Sequence, residues 1–160
     1  MKPHKNSNTA LSIKVAIILF ATLAIYQQDL TILGNEAIRS ELMNYILTVP
    51  FLLAYLLYRK RKMLRAVISF ETSTTKRKAT FPNEEVIGAL LCVTAFLLYW
   101  NGSYTFHPLE YHILTLPIFI AGCILIMFNA KTLKVLAFPI AFLLLLIPPP
   151  LEIVYAAGAS

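Results

Sequence analysis

Apolar positions along this chain fall in long blocks, and the charges fall between them. The blocks span residues 11–26, 42–58, 86–100, 111–128 and 133–147. A membrane helix needs about 17–25 mostly apolar residues, because the hydrocarbon core is ~30 Å thick and each residue rises about 1.5 Å. The pattern predicts five membrane helices, the fifth slightly short. The fold class expected is an all-α polytopic membrane protein, with residues 1–160 as a single membrane domain and residues 59–85 as a basic loop. Pro148, Pro149 and Pro150 stop the fifth helix, since proline lacks an N–H and pushes the preceding residue out of helical geometry. The closing stretch "LEIVYAAGAS" follows that stop with a short apolar patch and a tail of small residues.

Composition supports a membrane protein. The chain is 58% hydrophobic and 14% charged, where globular chains carry about 25% charged residues. Its basic excess, 14 Lys and Arg against 8 Asp and Glu, has a topological explanation. Lys2, Lys5 and Lys14 precede or open span one. Arg59, Lys60, Arg61, Lys62, Arg65, Lys76, Arg77 and Lys78 follow span two, and Lys131 and Lys134 follow span four. With five alternating spans, 13 of the 14 cations share one side and Arg39 alone takes the other. The positive-inside rule places the N-terminus in the cytoplasm and the proline turn outside. No nucleic-acid partner is needed to explain the charge. Tyr26, Tyr99, Trp100, Tyr104 and Tyr111 fall near outer span ends, and Tyr55 and Tyr58 near an inner one, where aromatic rings favour the interface. A competing reading makes span one a cleaved signal peptide, with small residues around positions 21–24.

The segment "YRKRKMLRAVISF" places Met63, Leu64, Val67 and Ile68 at helical spacing beside Arg59, Lys60, Arg61, Lys62 and Arg65. Such a segment contacts anionic lipid at about 1 kcal/mol per basic residue, or serves only as a topological stop. "FPNEEV" reads as a helix start, with Asn83 as cap and Glu84 and Glu85 in the first turn. Pro50, Pro117 and Pro139 fall inside spans and predict kinks. Gly88, Ala89, Gly122 and Ala141 are expected to pack helix on helix, and Asn44 and Thr48 to bond a neighbour. No acidic residue is expected deep in a span, which weighs against an ion-coupled transporter.

Candidate chemistry is sparse. "NGSYTFHPLEYH" brings His107, Glu110 and His112 to the outer side. Their spacing matches neither helical zinc motif, so no metal site and no cofactor are expected. Interfacial packing or the border of an outward-facing active site are the readings left open. Asn101-Gly-Ser is a glycosylation sequon. Cys92 and Cys123 have no ionisable neighbour to activate a thiolate, and they read as small apolar residues. No catalytic residue is assigned.

Three stretches together resemble a known family: "VPFLLAYLLYRKRKMLRAV", "FHPLEYHILTLPIFIAGCILIMFN" and "LAFPIAFLLLLIPPP". They resemble the N-terminal portion of the exosortase/archaeosortase family, its archaeal branch most. The resemblance implies an enzyme of about eight spans, a cysteine transpeptidase that processes the C-terminal sorting signal of exported proteins. It implies membrane lipids and exported substrates with a hydrophobic C-terminal sorting helix as partners. The family's nucleophilic Cys lies in an Ala-Cys-Ser-Gly-type motif after the proline turn, with an Arg and a His on later spans. None matches a position here, so the expectation is the N-terminal part of a longer protein, inactive alone. His107, His112, Pro148, Pro149 and Pro150 would border the active site. The alternative expectation is a small non-catalytic scaffold or lipid-binding protein; part of a transporter or lipid-handling enzyme is a third.

Overall fold

The computed structural model describes residues 4–39, 41–74, 82–105 and 108–147. They form five α-helices: α1 (His4–Arg39), α2 (Tyr45–Thr74), α3 (Pro82–Gly102), α4 (Pro108–Met127) and α5 (Ala130–Phe142). Short 3-10 turns cover Glu41–Met43 and Leu143–Leu146. Among the described residues there is no strand. Each expected span falls on its own helix. The stretches Leu11–Arg39, Asn83–Gly102 and Leu109–Met127 are long and apolar enough to cross a membrane on their own. The apolar half of α2 runs straight into its basic half, so the expected loop from residue 59 is helical as far as Thr74. The proline triplet lies outside the described residues, as do His107 and Lys76 to Lys78.

α4 is the central helix. It packs most extensively on α3 and also touches α1 and α5, while α2 pairs with α5. The α3–α4 seam is close because two glycines face each other. A Cβ added at Gly122 would lie 2.8 Å from the Gly88 carbonyl oxygen and 2.6 Å from Cys92 Sγ. Without a hydrophobic drive between helices in lipid, such close backbone approach supplies the dispersion contact that holds them. Ala89 and Ala141 do not join in; both are exposed.

Proline opens two helices, Pro82 on α3 and Pro108 on α4. A first-turn N–H has no helical acceptor, so its loss there costs nothing. Starting at Pro82 puts Asn83 inside the helix, not at the expected cap. The cap the sequence reading missed is Asn129, whose side chain accepts from the Thr132 amide at 2.8 Å and starts α5.

Three long-range polar contacts tie the basic end of the bundle. Lys14 Nζ donates to the Met127 carbonyl at 2.6 Å, closing the C-terminus of α4 with a cation. The Ala130 amide donates to Glu84 Oε2 at 3.1 Å. Lys60 Nζ donates to the Val135 carbonyl at 3.0 Å. Pro139 inside α5 has no N–H for that carbonyl, four residues back, so the ammonium replaces the missing helical donor.

Candidate functional site

At the opposite end, α1 supplies a carboxylate where the sequence pattern ended the span. α1 does not stop at Tyr26 but continues through Asp29 to Arg39. Asp29 is only 5% exposed and lies inside the apolar stretch Leu11–Arg39, beyond residue 26 where the first expected span ended. Thr22, Tyr26, Asp29, Leu33 and Ala37 recur at three- or four-residue spacing and are all buried. Tyr26 and Asp29 of that stripe bond to α4, and the stripe's burial explains the continued helix.

The carboxylate is fully engaged. Tyr99 of α3 donates its hydroxyl to Asp29 Oδ2 at 2.9 Å. His112 of α4 places Nδ1 2.8 Å from Asp29 Oδ1. A carboxylate only accepts, so Nδ1 carries the proton. The Tyr99 ring stacks on the imidazole at 3.8 Å between centroids and 17° between planes. One face of the ring is thus held by Tyr99 and its in-plane orientation by Asp29. The other nitrogen, Nε2, lies 3.0 Å from the Ser103 hydroxyl oxygen. Ser103 sits in the turn just after α3 and is exposed.

Glycine makes that last approach possible. A Cβ at Gly102 would lie 2.6 Å from Tyr111 Cβ and 3.5 Å from His112 Cδ2. The requirement is space, since no described glycine has a positive φ. Below this cluster, Tyr26 shares a 2.8 Å hydrogen bond with Thr115, which itself donates to the His112 carbonyl at 2.7 Å. Tyr26 meets Tyr99 edge to face at 5.5 Å. Tyr26 is 1% exposed and so belongs to the core, not to the interfacial belt. Trp100, Tyr104 and Tyr111 are exposed as the belt requires.

Depth follows from helix geometry. Fifteen residues separate Lys14 from Asp29 on α1, and fifteen separate His112 from Met127 on α4. Both rises put the Asp29–His112 pair about 22 Å from the Lys14–Met127 contact. With Lys14 at one edge of a ~30 Å core, the pair lies in the outermost third at the other edge. An ionisable pair at that depth is expensive unless satisfied, and such pairs mark functional sites by default.

The other predicted residues fall elsewhere. Arg59, Lys62 and Arg65 are exposed on the far part of α2. Arg61 lies over the Tyr58 ring at 3.9 Å, and Lys60 turns inward to Val135. Leu64 and Val67 are half-buried and Met63 is exposed. Asn44 and Thr48 are exposed and, with Tyr45, Leu47 and Phe51, form an open surface at the start of α2. Cys92 and Cys123 are free thiols with sulfurs 4.0 Å apart across the α3–α4 seam. Among the described residues no three His, Cys, Asp or Glu side chains gather to hold a metal.

A bundle of apolar helices with a buried Asp–His pair near one face defines a multi-pass membrane protein. Comparison with known families goes further. The model of the transmembrane exosortase family matches residues 37–159, and the chain belongs to that family. The match takes in four of the five helices and, of the polar cluster, Tyr99, Ser103 and His112; Asp29 precedes it. No curated protein and no solved structure matches the chain.

Proposed function

We propose that this chain serves an exosortase-type transpeptidase that processes C-terminal sorting signals of exported proteins, and that it belongs with the archaeal branch of the family. The observation that carries the reading is the family match across residues 37–159. In that chemistry a cysteine thiolate attacks the substrate carbonyl and an amine or lipid acceptor then takes the acyl group. The family's cysteine motif matches none of these 160 residues. On this reading the helices act as the frame of a longer protein of about eight spans and do not carry out the transpeptidase step by themselves. The polar cluster around His112 borders the site on the extracytoplasmic side; His107 and Pro148 to Pro150, assigned to the same border from the sequence, lie outside the described residues.

The test pairs the whole protein with an exported reporter that carries a short motif, a hydrophobic helix and a basic tail. The expected result is loss of the tail, read as a mass change that depends on the protein. An unchanged reporter, with both proteins present in the membrane, would defeat the proposal. Topology is checked separately with a single cysteine at Tyr104 in a background lacking Cys92 and Cys123. A membrane-impermeant maleimide should reach it from outside the cell; access from the cytosol alone would reverse the orientation.

The exposed cations of α2 favour a second property, contact with anionic head groups by Arg59, Lys62 and Arg65. Native mass spectrometry from mixed-lipid nanodiscs should show less retained anionic lipid after all three are changed to glutamine. Equal retention would leave them as topological signals only.

A further inference from the structure

Asp29, His112 and Ser103 come from three different stretches of chain, on α1, on α4 and in the turn after α3. They nevertheless form one continuous hydrogen-bonded line, carboxylate to Nδ1 at 2.8 Å and Nε2 to hydroxyl at 3.0 Å. The base of this line is buried and its hydroxyl end is exposed. That polarity suits chemistry on a molecule arriving from outside. The Ser103 hydroxyl satisfies the otherwise bare Nε2 of the buried ring, and its exposure distinguishes it from the rest of the line.

Proton counting sharpens the point. The Ser103 hydroxyl has one hydrogen and two acceptors in range, His112 Nε2 and the Tyr99 carbonyl at 3.1 Å. When His112 is neutral, Nδ1–H is held by Asp29, so Nε2 is a bare acceptor and takes the Ser103 hydrogen. When His112 is protonated, Nε2 donates to Ser103 and the hydroxyl turns to the Tyr99 carbonyl. The same three groups therefore accommodate both states of a base that has or has not taken the serine proton. Asp29 is placed to balance the charge of the protonated ring.

We propose that Ser103, His112 and Asp29 are a serine nucleophile, its base and the base's orienting carboxylate, forming a site for acyl esters separate from the family's cysteine centre. The depth of the site and the exposed Trp100, Tyr104 and Tyr111 around it place Ser103 at the lipid–water boundary, where lipid ester carbonyls reside. The substrate class is a lipid carboxylic ester. In the first step the Ser103 Oγ bonds to the ester carbonyl carbon while His112 Nε2 takes the hydroxyl proton. The carbon–oxygen bond to the alcohol then breaks, and the alcohol leaves with that proton. In the second step water attacks the acyl-serine, His112 takes the water's proton, and returns it to Oγ as the carboxylic acid departs.

The experiment is covalent labelling of the full protein in detergent with a fluorophosphonate. Here the Oγ–phosphorus bond forms, fluoride leaves and His112 takes the proton. The expected result is one adduct, mapped to Ser103 by peptide mass spectrometry and absent in Ser103→Ala. His112→Ala and Asp29→Asn should slow labelling by about 10³–10⁴-fold, as loss of base or orienter does in related relays. Each variant is checked for folding by thermal unfolding. Should His112→Ala fail to fold, Asp29→Asn carries the comparison. Thr94→Ala, on the exposed face of α3 and bonded only to its own helix at the Leu90 carbonyl, is the control and should label at the native rate. Folded native protein that shows no adduct at Ser103, or labels equally in Asp29→Asn, overturns the proposal and leaves the line as a structural clasp. Reporter processing is not involved, so this result and the sorting test fail independently.

Discussion

Replacing Gly122 by alanine tests the closest backbone contact in the protein. The new Cβ would sit 2.8 Å from the Gly88 carbonyl oxygen and 2.6 Å from Cys92 Sγ. Sulfur can rotate away, but the carbonyl belongs to the backbone of α3 and cannot move alone. The helices must separate by roughly half an ångström over the seam, since ordinary carbon contacts begin near 3.4 Å. Forced overpacking of this kind costs about 1–3 kcal/mol. Gly34 on α1 supplies the control, because a Cβ there meets nothing within 4 Å. In a helix interior, Gly34→Ala should stabilise by about 0.5–1 kcal/mol. The assay is thermal unfolding in detergent with a dye that fluoresces on reaction with thiols. Both cysteines of the chain line this seam, so the dye reports its opening directly. At about 2–4 °C per kcal/mol for a chain of this size, Gly122→Ala should melt several degrees lower and Gly34→Ala slightly higher. A Gly122→Ala midpoint equal to the native one would refute the glycine-to-glycine packing.

Two further outcomes follow from the same geometry. Mild oxidation should join Cys92 to Cys123 within one molecule, read as loss of both maleimide-reactive thiols without a dimer on a gel; two thiols that stay reactive would contradict the 4.0 Å approach. Asp29→Ala strands the Tyr99 hydroxyl and the His112 Nδ1–H and should cost about 1–2 kcal/mol, given roughly 0.6 kcal/mol per interhelical hydrogen bond in membranes. Asp29→Asn should cost less, and equal stability of Asp29→Ala and native protein in denaturing-detergent titration would rule out the pairing.

The five helices were legible because each is announced by its own run of apolar residues. The end of α1 was not. Gln27, Gln28 and Asp29 read as a loop, yet the groups that satisfy Asp29 lie 70 and 83 residues away. Local composition carries no trace of partners so distant. The three- to four-residue spacing of Tyr26, Asp29, Leu33 and Ala37 is the signal that would have extended the helix. His112 stood out in the sequence as a histidine near the outer face, while Ser103 was seen only as part of a sequon. Their juxtaposition depends on Gly102, a residue whose importance is purely one of room. The approach of the two cysteines was hidden for the same reason: nothing in either apolar run shows that Gly88 and Gly122 draw their helices together.

The bond from Lys60 to Val135 bears on how the protein is made. Val135 leaves the ribosome 75 residues after Lys60, so the amine is already at the bilayer edge when the proline-bent segment arrives. The late helix meets a waiting donor and need not enter lipid with a bare carbonyl. Without that amine the fifth helix would carry a bare carbonyl, so its packing depends on the second helix being in place.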